Sequence, residues 1–344
     1  RIEYINGHFY GMENAEVTKT LLCFMYEDVV AMVPLPAINS SVIKKWYDNV
    51  LQVLQVGFDI AVVLCDAHTA NRRFFAQELT PFLQTREYFC SSTPFDGTSM
   101  TAKFDHVVQL HRKEMGRSVK CAHKLSDRVL APQPIERTKV QLGDHFFDDS
   151  TISCLMHCQG EEDIEWISTV EFMRLIRQFW LCVTVQSKFA AERKRDKRRK
   201  AISSNDQSQV YFLQKFATWL QDWERMTEGT KAGLSRETFM APQHTANALQ
   251  ELANYLLTEK GFQYALLGKI NSDPLEHRFG WYRQLVRANY FISVRQFLEA
   301  ERKIRFKSLV KVNKLIMTEV TDIFREPEGH KAKINEEGDK NYLP

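Results

Sequence analysis

The chain has 344 residues, 44% of them hydrophobic and 12% aromatic, and a formal charge of +3. Such a length exceeds what most single cores serve and predicts two or three folded units, and the composition is globular rather than disordered or collagen-like. No apolar run reaches the length of a membrane span, so a soluble protein is expected, and so small a net charge does not by itself imply nucleic acid.

Ile2-Glu3-Tyr4-Ile5 and His8-Phe9-Tyr10 flank Asn6-Gly7, the dipeptide that favours a tight β-hairpin. Residues 20–25 and 29–34 read as two further strands, short apolar runs ended by charge or proline. A helix follows, because Val42, Ile43, Trp46, Val50, Leu51 and Leu54 recur at intervals of three and four, with Gly57 placed to be its left-handed C-cap. Residues 58–65 are almost continuously apolar and predict a strand buried on both faces, ending at Asp66. An acid at the C-terminal edge of a buried strand stands where open α/β sheets place functional groups; an ordinary turn aspartate is the alternative. His68 belongs to the turn that follows, and Asn71-Arg72 leads into another helix.

From Phe104 the pattern turns helical, with helices expected at 104–115, 119–130, 164–189 and 210–223. Phe172, Leu175, Ile176, Phe179, Trp180 and Val183 form a stripe at helical spacing and predict core. His106 and His111 are five apart and do not share a helix face well enough to form a metal pair. Arg193, Lys194, Arg195, Lys197, Arg198, Arg199 and Lys200 put seven cations into eight positions, interrupted by Asp196 alone. Such a run serves as a solvated loop, a phosphate contact or a nuclear import signal, and with the polar residues 203–208 it reads as a disordered linker.

The seven cysteines, at 23, 65, 90, 121, 154, 158 and 182, are odd in number and follow no signal peptide, so reduced thiols of the nucleus or cytosol are expected. Cys154-Leu155-Met156-His157-Cys158 invites a zinc reading but lacks a second pair, and thiols on an apolar helix face are the simpler account. A further helix is predicted over 234–257 and another over 294–311, with a charged tail beyond. The stretch Gly261 to Gly268-Lys269 has the wrong spacing for a Walker loop and reads as a helix end and a loop. The chain opens on Arg1 directly in strand-like sequence, as a piece of a longer protein would.

Asn271-Ser272-Asp273-Pro274-Leu275-Glu276-His277-Arg278-Phe279-Gly280 is the most informative stretch. On its residues alone it is a good helix start, with Asp273 as N-cap, Pro274 in the first helical position and Glu276 closing a capping box. It also resembles the acidic motif of P-element-type transposases, including their THAP-type relatives. The resemblance runs roughly from Arg1 to Leu309 and is carried further by Thr20 to Met25, by Gly57-Phe58 through Asp66 with Asn71-Arg72, by Ala122-His123-Lys124-Leu125-Ser126-Asp127-Arg128-Val129-Leu130, and by Tyr290-Phe291-Ile292-Ser293-Val294-Arg295-Gln296.

That resemblance implies an α/β RNase H-like domain interrupted by a mainly α-helical insertion of the GTP-binding type. The expected division is 1–103 and 234–311 for the RNase H-like parts, 104–233 for the insertion and 312–344 for the tail. It implies metal-dependent DNA cleavage and strand transfer at transposon ends by a nuclear protein, with DNA as partner, a homo-oligomer, and no membrane. By position Asp66 matches the family's second catalytic aspartate and Glu276 its glutamate, both as ligands of Mg²⁺ or Mn²⁺, with Asp273 a nearby acid. GTP is implied at domain level, with no residue assigned. The family's first aspartate falls upstream of Ile2, no counterpart of its THAP-type zinc finger is found in these residues, a segment after Pro81 to Glu87 is missing relative to relatives, and Arg287 stands where they have glycine. These departures leave room for a second reading, a catalytically inactive domesticated or decayed copy that binds DNA or protein.

Overall fold

The computed structural model describes residues 3–5, 8–10, 12–13, 16–17, 20–26, 28–66, 68–79, 102–137, 139–158, 165–227, 234–286 and 292–313. The expectations for Asn6-Gly7, Pro81 to Glu87, Arg287 and the tail lie outside these residues. The chain divides into two compact units, one made of 1–38 with 273–344 and the other of 39–272.

In the first unit β1 (Glu3–Ile5) runs antiparallel to β2 (His8–Tyr10), with Glu3 opposite Tyr10, and β3 (Met12–Glu13) pairs with β4 (Glu16–Val17). The expected strands at 20–25 and 29–34 are present as β5 (Thr20–Tyr26) and β6 (Asp28–Leu35), paired from Thr20 opposite Leu35 to Tyr26 opposite Asp28 with a register shift at Phe24/Met25. Alternation along β6 buries Val29, Val33 and Leu35. Leu21 and Met32 pack against Tyr282 of α11 (Asp273–Leu285) and Phe297, Ala300 and Ile304 of α12 (Val294–Asn313). A hairpin cannot hold alone in water, and these two helices supply the apolar cover that it needs.

The second unit is helical. Helix α1 (Ser40–Leu54) starts where the Asn39 side chain accepts the Val42 N–H at 2.9 Å, and it ends at Gln55 in a right-handed conformation. Gly57 is therefore not its left-handed cap; among the described residues the glycine with positive φ is Gly261, at +67°. Phe74, opening a π-helical turn (Phe74–Leu79) after α2 (Thr69–Arg73), is buried edge-on against Tyr47, ring centroids 5.2 Å apart.

The expected strand at 58–65 is not formed. Residues 58–66 belong to no strand, and Phe58, Val62 and Leu64 are 49%, 41% and 47% exposed. An apolar run becomes a strand only beside a chain that takes its N–H and C=O groups. The strands described pair in four two-stranded antiparallel sheets and none of them lies along this run.

Two apolar cores fill the helical unit. In the first, Val107 and Leu110 of α3 (Phe104–Met115), Val129 of α4 (Asp127–Leu130), Ile152 and Leu155 of α6 (Asp149–Cys158) and Val170 and Met173 of α7 (Glu165–Val183) come together, with Phe146 of α5 (Val140–Phe146) packed alongside. The helix expected at 119–130 shrinks to α4, because the Glu114 carboxylate takes the N–H groups of Cys121 and Ala122 at 3.2 and 2.7 Å, bonds that a helix would have used internally. In the second core α7 meets α9 (Ser208–Thr227) and α10 (Arg236–Thr258); Phe179 stacks on Phe216 with centroids 4.3 Å apart, and Phe172 packs on Trp219 and Trp223. Of the predicted stripe, Trp180 alone is exposed, at 36%.

Candidate functional site

Asp66 follows the non-strand segment 58–65, is exposed, and its Oδ1 is fixed twice. The His68 N–H donates to it at 3.0 Å and the Asn71 side-chain amide at 2.8 Å. The aspartate thus closes an Asx-type turn into α2, whose N-cap is His68: its ring Nδ1 accepts the Ala70 N–H at 3.3 Å. The pairing of Asp66 with Asn71-Arg72 in the motif has a physical content here, since Asn71 orients the acid.

Asp273 and Glu276 share the first turn of α11 and are both exposed. The helix begins one residue earlier than expected, so Asp273 lies inside it. What fixes the turn lies two residues beyond Glu276. The Arg278 guanidinium, 5% exposed, donates to Glu301 Oε1 at 2.9 Å, to Oε2 at 3.2 Å and to the Tyr282 hydroxyl at 3.1 Å. Tyr282 in turn donates to Glu301 Oε2 at 2.5 Å, while Arg305 donates to Glu301 Oε1 at 2.7 Å and to the Val29 carbonyl at 2.5 Å. Burial opposes the Glu301 charge, but these donors outweigh it and hold its carboxyl below the ordinary range. Burial, and then the adjoining Glu301, push the Tyr282 phenol up. The inward face of α11 is locked to α12 and β6 while its outward face presents Asp273 and Glu276. Asp66 belongs to the other unit.

The basic run is ordered, contrary to the expected linker. It forms α8 (Ala190–Lys194), a left-handed Arg195 with φ 50°, and a 3-10 turn (Lys197–Arg199). Arg198 reaches Asp149 at 2.8 and 3.0 Å and Asp196 at 2.9 Å, Arg199 lies 3.7 Å from Asp196, and Lys200 pairs with Asp206 at 2.7 Å. Hydrogen bonds to Asp196 and Asp149 raise the Arg198 pKa further. Ile202, 1% exposed, then anchors β7 (Ile202–Ser203) to β8 (Tyr264–Ala265) in the core. Asp196 within the run and Asp206 just after it are local partners, whereas Asp149 comes from 49 residues back, where no local pattern announces it. Arg193, Lys194, Arg195 and Lys197 stay exposed.

Beside this run Arg177, buried on α7, meets Asp144 at 2.6 Å, Asp149 at 3.5 Å and Asp148 at 3.6 Å. Lys124, from the Ala122-His123-Lys124-Leu125 string, pairs with Asp148 at 2.6 Å. Burial works against the Asp148 charge, yet Lys124 and Ser150 draw its carboxyl down to about 2. His106 and His111 are both buried in separate bonds, to Thr169 at 2.8 Å and Asp127 at 3.0 Å. The stretch from Gly261 to Lys269 is a helix end, a short strand and a 3-10 turn (Leu267–Lys269).

The described residues therefore define a mostly helical chain with a hairpin-and-two-helix unit divided by a helical insert. No protein-family model matches the chain, and no curated protein matches it in sequence. Among solved structures, the Drosophila P element transposase strand transfer complex is similar, with a TM-score of 0.65 and 15% identity over 88% of this chain and 73% of that one. The chain has a P-element-transposase-like fold.

Proposed function

We propose that this chain is part of a P-element-like DNA transposase, which cuts and joins DNA at transposon ends in the nucleus as a homo-oligomer. The observation that carries the reading is the likeness of fold along 88% of the chain to a transposase captured in a strand transfer complex. The motif resemblance adds the finer assignment, an RNase H-like α/β domain interrupted by a GTP-binding-type insertion, with Asp66 and Glu276 as metal ligands and Asp273 beside them.

Taken one at a time, these carboxylates suit a hard cation. All three are exposed carboxylates, Asp66 is oriented through one oxygen, and α11 is held rigidly from its buried side. Bound Mg²⁺ or Mn²⁺ would activate the attacking oxygen and stabilise the leaving one in phosphodiester chemistry. The exposed Arg193, Lys194, Arg195 and Lys197 suit phosphate contacts that position DNA without reading bases.

The second reading, an inactive copy that still binds DNA or protein, is favoured by the state of residues 58–65, which place Asp66 on no sheet edge. One experiment separates the two. The chain, extended upstream to include the first aspartate, is given Mn²⁺ and duplex DNA from its own genomic flanks, beside Asp66→Asn and Glu276→Gln. Cleavage that falls at least a hundredfold in both variants, with DNA binding kept, supports the enzyme. Cleavage undiminished in both sinks the assignment of these acids, and no cleavage by the parent leaves the binding module.

A further inference from the structure

The fold supplies what Cys154-Leu155-Met156-His157-Cys158 lacks in sequence. Glu114 in the last turn of α3, Cys121 in the loop after it and Cys154 on α6 bring one carboxylate oxygen and two sulfurs within 4.8 Å of one another. Glu114 and Cys154 are buried and Cys121 is exposed, so the cluster has a closed floor and one side open to solvent.

We propose that Glu114, Cys121 and Cys154 form a binding site for a thiophilic divalent cation of the zinc class. Two thiolates and a carboxylate suit such an ion, whereas Mg²⁺ and Ca²⁺ prefer oxygen throughout. A tetrahedral zinc centre holds its ligand atoms roughly 3.5–3.8 Å apart, so the cluster lies within about 1 Å of closure, a distance that rotation of the exposed Cys121 side chain covers. The carboxylate is already oriented. Its oxygens accept the N–H groups of Cys121 and Ala122, which ties Glu114 to the very loop that carries Cys121, and Oε1 also faces the Arg117 guanidinium at 3.5 Å.

The Cys154 thiol hydrogen-bonds to the Glu114 carboxylate, so its proton lies between two of the ligand atoms. A cation takes that proton's place: the ion binds two thiolates and one carboxylate, and two protons leave to solvent. This site is independent of Asp66 and Glu276.

Cobalt(II) titration of the metal-stripped, reduced full chain is the test. A tetrahedral cobalt spectrum with sulfur-to-metal charge transfer is expected at one ion per chain, with about two protons released. Cys121→Ser, a surface change that leaves the core intact, should bind cobalt at least tenfold more weakly, and Cys65→Ser should bind as the parent does. Cys154→Ser should abolish the thiolate bands, with circular dichroism reporting whether it folds. The proposal is overturned by a folded parent without thiolate bands, by unaltered affinity in Cys121→Ser, or by a Cys121–Cys154 disulfide in protein purified under reductant.

Discussion

Arg278 and Glu301 face each other at 2.9 Å in the smaller unit, both nearly excluded from solvent, and so join the helix that carries Asp273 and Glu276 to the helix that closes the chain's described part. Removing one member of a buried, hydrogen-bonded pair strands the other charge. Glu301→Ala is expected to cost about 3–5 kcal/mol, seen as a lower urea midpoint, because Arg278, Tyr282 and Arg305 all lose their acceptor. A cost below about 1 kcal/mol would mean that water satisfies the cluster.

Gly268 has no room for a side chain. A Cβ there would sit 2.5 Å from the Thr184 carbonyl carbon and 2.8 Å from that of Val185, both backbone, while the Gly268 N–H donates to the Val185 oxygen at 2.9 Å. Gly268→Ala should therefore destabilise by about 2–3 kcal/mol, through a backbone shift rather than a rotamer change. Gly143→Ala, with nothing within 4 Å, is the matched control and should be stable.

Asp148 gives a pH signature. Its carboxyl is held at about 2 in the fold against an ordinary 3.8, so the unfolded chain binds its proton first as acid is added. Its contribution is complete above the unfolded value and fades as pH falls from about 4 to 2, an effect of about 2 kcal/mol. Lys124→Met should lower stability at neutral pH and flatten that acid-side slope, measured by denaturation at pH 3 and pH 6. An unchanged slope would assign acid sensitivity to other carboxylates.

The basic run separates into two classes of cation. Replacing Arg193, Lys194, Arg195 and Lys197 by glutamine should reduce the slope of log affinity for duplex DNA against log salt by roughly 0.9 for each phosphate no longer neutralised, with stability unchanged. Arg198→Gln should do the reverse, leaving the slope intact and costing about 1–2 kcal/mol as Asp149 and Asp196 lose their shared donor. Equal slopes for parent and quadruple variant would remove this face from DNA binding.

What the sequence disclosed was what is local. Helices α3, α9, α10 and α12 were legible because 3.6-residue periodicity is written within each segment, and β5 and β6 because each ends in charge or proline. What failed depended on distant partners. Residues 58–65 have the composition of a buried strand but no neighbouring strand among the described residues, the loop at 116–126 replaces a helix because Glu114 intercepts its N–H groups, and the basic run is ordered by Asp149, far back in the chain. The candidate acids Asp66 and Glu276 could be picked out through motif resemblance, whereas Arg278 with Glu301 and the Glu114, Cys121 and Cys154 cluster left no trace in spacing.

The hairpin of β5 and β6 buries Leu21 and Met32 only against helices that are read out at the far end of the chain. At ribosomal speeds the span from Leu35 to Val294 takes on the order of 10–50 s to synthesise. Through that interval the hairpin's apolar face waits exposed, while the continuous segment 39–272 can collapse on its own. Translation thus imposes an order of assembly, insert first and split unit last, and makes the nascent hairpin the natural client of a chaperone.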